Sequence, residues 1–323
     1  MSISIIPDQC TGCETCVPSC PFGAIEMRDG KAFITEACTL CGACVETCEF
    51  NAIESTEKAG APVVDLSAYR GVWVFAEQHK GSLASVTLEL LGEGRKLADK
   101  RQAKLSAVLI GQGITDRSGE LIAHGADIVY VADNAALKDF NDDTYSAVLT
   151  SLATLHKPEI ILAGATAIGR SFIPKVASAL STGLTADCTV LDIDTETGNL
   201  LQTRPAFGGN IMATIITPNH RPQMATVRHK VMKMAPKDPS RKGDVVPIAF
   251  TAAGDVRTRV LQTVDEVSET VNISEADIIV AGGRGMGSEQ NFRLLDDLAK
   301  TLGGAIGATR GAVDEGWIPY SHQ

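Results

Sequence analysis

Aromatic residues and long apolar runs are scarce in this chain of 323 residues. Phe, Tyr and Trp make up only 5% of the sequence. No uninterrupted apolar stretch approaches the roughly 18 residues that a membrane-spanning helix requires. The chain also lacks, after Met1, the charged segment followed by an apolar one that is typical of a secretory signal. We therefore expect no membrane association and a cytoplasmic location.

Positive charge is also in deficit. The formal net charge is −10, and residues 1–54 hold eight acidic residues against Arg28 and Lys31. This balance argues against binding to nucleic acid or to an anionic membrane, because both attract basic surfaces. It suits docking of the N-terminal region to a basic patch on a redox partner. An acidic surface that only keeps the protein in solution is the alternative.

Cysteine is concentrated rather than scarce. Eight of the nine cysteines form two runs of the same spacing, C-x2-C-x2-C-x3-C, and the second run lies 28 positions after the first. Thiolates at this spacing converge on a [4Fe–4S] cluster, and the fourth cysteine of each run ligates the other cluster. The predicted ligands are Cys10, Cys13, Cys16 and Cys48 for cluster one, and Cys38, Cys41, Cys44 and Cys20 for cluster two.

Disulfides and zinc are the alternatives for these cysteines. Disulfides suit small secreted chains, and zinc would not need the third and fourth cysteine of each run. The runs resemble those of bacterial two-[4Fe–4S] ferredoxins over residues 1–54. Pro21 follows Cys20 as in that pattern, but Glu49 follows Cys48. Our hypothesis is that the Glu49 carboxylate lowers the reduction potential of cluster one. None of the six histidines has ligand-like spacing, so no further metal is indicated.

The chain is too long for a single core, and composition divides it further. After the ferredoxin-like module 1–54 we expect a linker at 55–68, which is poor in periodicity. An α/β domain then covers 69–234. A segment rich in Pro, Lys and Asp at 235–248 is predicted to be a hinge, and a last domain covers 249–323.

Strand-like and helix-like segments alternate in the α/β domain. Short apolar runs predict strands at 71–75, 105–110, 128–131 and 160–163. This alternation predicts a doubly wound parallel sheet, of the nucleotide-hydrolase-like kind, with helices on both faces. The segments 214–217 and 224–228, joined through Pro218 and Pro222, are instead predicted to be an antiparallel addition.

A glycine turn follows the first predicted strand of the last domain. The strand at 276–280 leads into Gly-Gly-Arg-Gly at 282–285, and a helix begins near Ser288 and stops at Gly303. Strand, glycine turn and helix in this order can place a pyrophosphate at the helix N-terminus. A second strand ends one unit later at 307–310. Glycine turns also occur without ligands, and that alternative stays open for the motif alone.

Five motifs in order resemble the alpha subunit of electron-transfer flavoproteins. They are GATAIGR at 164–170, GLTADC at 183–188, RPAFGGN at 204–210, GGRG at 282–285 and TRGAVD at 309–314. Residues 69–323 carry this resemblance. With its N-terminal module the chain is similar to the ferredoxin-extended alpha subunits of electron-bifurcating flavoproteins, such as that of the caffeyl-CoA reductase complex.

The resemblance implies an FAD in the last domain. The residues implied to bind it are Gly283, Arg284, Gly285, Thr309 and Arg310. Arg204 is implied to reach toward a flavin held by a partner subunit, with an ordinary ion pair as the alternative. Cys188 is expected to be a packing thiol. The family continues beyond the position of Gln323, so we expect the FAD domain to be incomplete in this chain and FAD to be held weakly or not at all.

The implied function is that of a subunit in an oxidoreductase complex. Its partners would be a beta subunit with FAD and NADH, an acyl-CoA dehydrogenase-type reductase and ferredoxin. NADH-dependent reduction of an enoyl-CoA, such as caffeyl-CoA, would be coupled to reduction of ferredoxin, while a hinge lets the FAD domain swing. One alternative is a non-bifurcating subunit that exchanges electrons between ferredoxin and the dehydrogenase. Another is a nucleotide-binding protein with structural clusters.

Overall fold

The chain divides into two compact units, Met1–Asp65 and Leu66–Gln323. The computed structural model describes residues 2–56, 65–250, 256–263, 273 and 276–323. Most of the predicted linker, from 57 to 64, lies outside the described residues. In the part that is described, no helix is long and apolar enough to cross a bilayer.

The first unit is a small α+β module built from two similar halves. Its elements are β1 (Ser2–Ile5), α1 (Cys16–Ser19), β2 (Ile25–Arg28), β3 (Lys31–Ile34), α2 (Ala43–Thr47) and β4 (Ile53–Thr56). Strand β1 pairs antiparallel with β4, and β2 pairs antiparallel with β3. Each half contributes two short strands and one short helix, in register with the 28-residue repeat of the cysteines. The predicted ferredoxin-like module is confirmed.

The second unit is larger and begins with an α/β region. Its strands are β5 (Val72–Ala76), β6 (Gln78–His79), β7 (Ser82–Leu83), β8 (Leu105–Gly111), β9 (Ile128–Asp133), β10 (Ile160–Gly164), β11 (Leu184–Cys188), β12 (Val190–Ile193), β13 (Leu200–Ala206), β14 (Ile211–Ile215), β15 (Gln223–Val227) and β16 (Asp244–Pro247). Its helices are α3 (Ser85–Lys100), α4 (Ser118–Ala123), α5 (Asp142–His156) and α6 (Ala167–Ala179).

Seven of these strands form one parallel sheet, in the order β11-β15-β10-β5-β8-β9-β16. Strands β5, β8 and β10 are buried along their whole length, as expected for a sheet covered on both faces. One face packs an aliphatic core around Leu90 and Leu97 of α3. The other packs an aromatic core in which Phe75 meets Phe172 edge to face, with ring centroids 4.7 Å apart. The predicted doubly wound sheet is confirmed.

The region 211–228 corrects one prediction. Strand β15 is not antiparallel: it lies between β10 and β11 in the large sheet and is parallel to both. Only β14 has the predicted antiparallel pairing, in a separate three-stranded sheet β12-β13-β14. We call β12, β13, β14 and the turn Phe207–Gly209 the arm. The chain leaves the large sheet after β11, forms the arm and returns as β15.

The predicted hinge at 235–248 is wrong in position. Residues 244–247 are β16, the edge strand of the large sheet, paired in parallel with β9. The segment before it is also anchored, because the N–H of Asp238 donates to the carbonyl of Ala123 at 2.8 Å. Asp127 accepts from Arg241 at 2.5 Å. These contacts make 235–248 part of the α/β region.

The C-terminal part consists of β17 (Ile279–Gly282), α7 (Phe292–Leu302), β18 (Ala305–Ala308) and α8 (Arg310–Asp314). Strands β17 and β18 are parallel. Helix α7 starts later than predicted, because a 3-10 turn at Glu289–Asn291 precedes it and Ser288 makes no capping bond. Its end is as predicted, at Gly303 with a left-handed φ of +66°.

Candidate functional site

Ligand set one surrounds a small cavity of the first unit. Cys10, Cys13, Cys16 and Cys48 all line it, together with apolar side chains such as those of Ile5, Met27 and Ile53. Cys48 comes from the second run and the other three from the first. The fold therefore brings together the four thiols that the spacing assigned to cluster one.

Ligand set two likewise combines three thiols of one run, Cys38, Cys41 and Cys44, with the fourth thiol of the other run, Cys20. Burial raises the pKa of the Cys44 thiol, and the neighbouring charges of Cys38, Cys20 and Cys41 raise it further. Burial likewise raises the pKa of Cys16, with smaller contributions from the three other thiols of set one. Each buried thiol thus interacts with the members of its own predicted set. The ligand assignment stays a prediction that this arrangement fits.

Hydrogen bonds to sulfur test whether these residues suit a cluster. The N–H of Ala24 donates to Cys20 Sγ, and the N–H of Ala52 to Cys48 Sγ, both at 3.3 Å. Such bonds stabilise the thiolate form that binds iron and tune the cluster's potential. Among the described residues, no three His, Cys, Asp or Glu side chains are arranged to hold a single metal ion. The thiol sets and their amide donors fit an iron–sulfur cluster.

Sequence reasoning missed one residue of this module, Gly12. It has a left-handed φ of +75°, and a Cβ there would lie 2.2 Å from the carbonyl oxygen of Gly30. The loop of set one can therefore lie against the β2–β3 turn only if residue 12 has no side chain. The glycine between the first two cysteines was the available signal, but its counterpart Leu40 in the second run hid it.

The residues predicted to bind FAD meet at the carboxyl ends of β17 and β18. The N–H of Thr309 donates to the carbonyl of Gly282 at 2.9 Å, which ties the two strand ends together. A Cβ on Gly283 would lie 3.1 Å from Thr309 Oγ1, so the glycine lets the two turns approach. Gly285 follows within the same short turn. The chain thus brings the glycine turn and Thr309 into one place, as predicted from the sequence.

Arg284 lies against the start of α8. A Cβ on Gly311 would meet Arg284 Nε at 2.8 Å and its Cγ at 3.2 Å, so the arginine side chain passes directly over this glycine. Gly311 was not predicted as a site residue, although it stands in the TRGAVD motif. Arg310 is exposed, and its Nε lies 3.3 Å from Asp314 Oδ2. Two guanidinium groups therefore stand at one sheet edge, which suits an anionic cofactor. The residues present fit FAD, and their roles stay predictions.

Arg204 lies on a different sheet, in β13 of the arm, opposite Ala213. It is half-buried, and no described carboxylate pairs with it, so the alternative of an ordinary ion pair has no support from these residues. Its charge acts on Cys188, whose pKa is nonetheless raised to about 11 because the thiol is fully buried. Cys188 packs in the aliphatic core, as expected for a structural thiol.

Comparison with known proteins covers both units. The 4Fe-4S dicluster domain matches residues 2–49, the electron transfer flavoprotein domain 72–253, and the electron transfer flavoprotein FAD-binding domain 272–323. The electron transfer flavoprotein subunit alpha of Thermoanaerobacterium thermosaccharolyticum is 52% identical over 259 residues, which is 80% of this chain and 78% of the relative. The protein FixB of Clostridium saccharobutylicum is 51% identical over 80% of this chain and 78% of its own length.

Iron–sulfur ligands and a flavoprotein fold in one chain define an electron carrier. More specifically, the chain belongs to the electron transfer flavoprotein family, as an alpha subunit with an N-terminal 4Fe–4S dicluster domain. Alpha subunits of this family pair with a beta subunit and transfer electrons within redox complexes. This membership decides against the alternative of a nucleotide-binding protein with structural clusters.

Proposed function

We propose that this chain is the alpha subunit of a flavin-based electron-bifurcating complex. The complex would couple NADH-dependent reduction of an enoyl-CoA, for which caffeyl-CoA is one candidate, to reduction of ferredoxin. When bound, FAD and the clusters supply one-electron chemistry that side chains cannot provide. The chain itself contributes binding, orientation and tuning.

The observation that carries the proposal is that one chain contains both the two sets of cysteine ligands and the fold of a flavoprotein alpha subunit. A subunit that serves only a dehydrogenase needs no cluster pair of its own. Two crossed sets of four thiols give a route for single electrons to an external acceptor. The acidic balance of residues 1–54 supports docking of that acceptor through a basic patch.

The FAD would be held by the paired strand ends of β17 and β18. Gly283 and Gly285 keep the turn open, and Arg284 and Arg310 bring positive charge that favours the reduced, negatively charged cofactor. Thr309 offers a hydroxyl at the same edge. On the arm, Arg204 is proposed to face the FAD of the beta subunit. Each of these roles is a matter of charge and position rather than of covalent chemistry.

An anaerobic assay of the complex tests the proposal. The alpha subunit is copurified with its beta subunit and its acyl-CoA dehydrogenase-type partner, and ferredoxin reduction by NADH is followed with and without an enoyl-CoA. Bifurcation requires that ferredoxin reduction depend on the enoyl-CoA. Dehydrogenase activity without any enoyl-CoA-dependent ferredoxin reduction would instead identify a non-bifurcating subunit. A panel of enoyl-CoA esters, caffeyl-CoA included, identifies the substrate.

A further inference from the structure

The two halves of the first unit differ at the positions that touch the ligands. By the 28-residue repeat, residue n of the first half is equivalent to residue n + 28 of the second. Lys31 of β3 therefore corresponds to Ile3 of β1. Thr15 corresponds in the same way to Ala43. Both polar members of these pairs lie at ligand set one. By the repeat, their apolar counterparts Ile3 and Ala43 occupy the equivalent positions at ligand set two.

Lys31 brings a positive charge to set one. Its Nζ donates a hydrogen bond to the backbone carbonyl of Cys10, and the N–H of the next residue, Ala32, donates to Cys10 Sγ at 3.5 Å. Residues 1–54 contain only one other basic residue, Arg28. Arg28 pairs instead with Glu26 at 3.0 Å and lies over the ring of Phe33. Ile3, in the equivalent place of the other half, has no charge to offer.

Thr15 gives set one an additional donor. Its hydroxyl lies 3.4 Å from Cys13 Sγ and donates to it. Ala43, the counterpart of Thr15 beside Cys41, has no group that could do the same. A hydrogen bond to a ligand sulfur and a nearby cation both stabilise the more negative, reduced cluster, so both raise its reduction potential.

Two carboxylates oppose these two groups: Glu14, which follows Cys13 and lines the cavity of set one, and Glu49. Glu14 is exposed, and its side chain makes no described hydrogen bond to a ligand. Glu49 is placed similarly. It follows Cys48, a ligand of set one, and its carboxylate disfavours an added electron, but its side chain is exposed and makes no described contact with a ligand. Water and salt screen a charge in that position. Lys31 and Thr15 are exposed as well, but unlike the carboxylates they are hydrogen-bonded to ligand residues. We therefore weigh these direct hydrogen bonds above the screened carboxylates of Glu14 and Glu49.

We propose that Lys31 and Thr15 raise the reduction potential of cluster one above that of cluster two. The inference rests on the proposed two-cluster function and extends it by stating which cluster is reduced first. With both clusters bound, a single electron would be held mainly by cluster one, and cluster two would be reduced after it. No bond forms or breaks in this step, and each cluster changes by one electron.

Redox titration of the full chain with dithionite, followed by electron paramagnetic resonance, tests the order. The reduction step whose potential or signal changes in Cys13→Ser is assigned to cluster one, and the step that changes in Cys41→Ser is assigned to cluster two. Lys31→Gln is expected to lower only the potential of cluster one, as is Thr15→Ala. Each lowers the equilibrium constant for placing the electron on cluster one by about threefold to tenfold, as expected for a partly screened charge or a hydrogen bond.

Matched variants separate tuning from loss of structure. Lys31→Arg and Thr15→Ser keep the charge and the hydroxyl, so they should keep the wild-type potentials. Arg28→Gln removes the other cation and should leave both reduction steps in place. Ala43→Thr should raise the potential of cluster two. About eight irons per chain with unmoved potentials in Lys31→Gln and Thr15→Ala would overturn this inference alone. About four irons would overturn the two-cluster function and the inference with it.

Discussion

At the scale of single residues, Gly12 sets the approach of the cluster-one loop to the β2–β3 turn. We expect Gly12→Ala to lose about half of the iron, because its Cβ would collide with the backbone carbonyl of Gly30 and the loop of set one would have to move. Iron and sulfide analysis of the purified chain measures this loss.

The matched control is Gly42→Ala in the second loop. Gly42 also has a left-handed φ, of +81°, but a Cβ there meets no atom within 4 Å. Its cost is therefore limited to the roughly 1–2 kcal/mol of backbone strain that any residue with a side chain has in this conformation. If Gly12→Ala retained the iron content of Gly42→Ala, the close approach to Gly30 would not be needed for cluster binding.

Glu77 is a second residue whose environment predicts a measurable effect. It follows β5 and is buried, and burial raises its pKa although the Thr166 hydroxyl donates to its Oε2 at 2.6 Å. A carboxyl with a raised pKa in the folded state costs nothing below its unfolded pKa of about 4.3. Between that pH and the raised folded pKa, the carboxyl is ionised in the unfolded state but stays protonated in the folded state, so the protein loses stability as the pH rises.

Glu77→Gln should therefore gain stability relative to the wild type as the pH rises from about 4 through the raised pKa. The difference becomes constant above that pKa. Urea unfolding of both proteins over a pH series measures the difference in the free energy of unfolding. Thr166→Ser keeps the donor and should show the wild-type pH dependence. A stability difference that does not vary with pH would contradict the role of burial.

At the scale of secondary-structure elements, local patterns predicted what depends on nearby residues. The cysteine spacing indicated both ligand sets, and the apolar runs indicated β5, β8, β9 and β10, because buried parallel strands are continuous in hydrophobicity. Residues 244–247 did not look like a strand, since Pro, Lys and Asp surround a short run. Their place is fixed by Asp127, more than 100 residues earlier, which pairs with Arg241. No local pattern carries that information.

The same limit applies at the FAD site. The glycine turn could be identified from its sequence, and its closeness to Thr309 followed from two parallel strands that end at one edge. That Gly311 lies beneath Arg284 depends on how α8 leaves β18, which the motif itself does not reveal. Strand β15 was assigned the wrong direction for a similar reason. Along the chain, the arm separates β15 from its partner β11, and α6, β11 and the arm separate it from its partner β10.

The edge strand β16 offers a test at this scale. The N–H of Asp244 donates to the carbonyl of Asp127, just before β9, at 2.9 Å, and the N–H of Ile248 donates to that of Val131 in β9 at 2.8 Å. By the period of two, the N–H of Val246 also faces β9. Val246→Pro removes that hydrogen bond, and we expect the free energy of unfolding to fall by about 1–3 kcal/mol. Chemical unfolding monitored by circular dichroism measures the change.

Val245→Pro is the control for Val246→Pro. The N–H of Val245 points away from β9, and its side chain is exposed, so this substitution should change the free energy of unfolding by no more than about 0.5 kcal/mol. Val246→Ala accounts separately for the lost side-chain packing. Equal destabilisation by the two prolines would return 235–248 to the hinge that the sequence suggested.

At the scale of the whole molecule, the arm has exposed apolar side chains of the kind that a protein partner covers. Phe207 is 81% exposed, and Ile211 and Met212 on the adjoining strand are 54% and 53% exposed. Phe207 also has a left-handed φ of +48°, which is unfavourable for a bulky residue and is retained mostly where it serves a function. Ile211 and Met212 point to opposite faces of β14, so apolar surface lies on both faces of the strand.

Single exposed apolar residues are common, but three such side chains on one short arm that also carries Arg204 indicate a protein interface. We expect the arm to be covered by the beta subunit, with Arg204 held at that interface. Phe207→Ser combined with Ile211→Ser should weaken the alpha–beta complex at least tenfold, since large apolar anchors dominate such interfaces. Sedimentation of the coexpressed subunits measures the dissociation constant.

Leu155→Ser, which removes an isolated side chain that is 74% exposed at the end of α5, should leave the constant unchanged. An arm variant that binds the beta subunit as tightly as Leu155→Ser would mean that the partner docks elsewhere, and the proposed position of Arg204 beside the partner's flavin would fail with it.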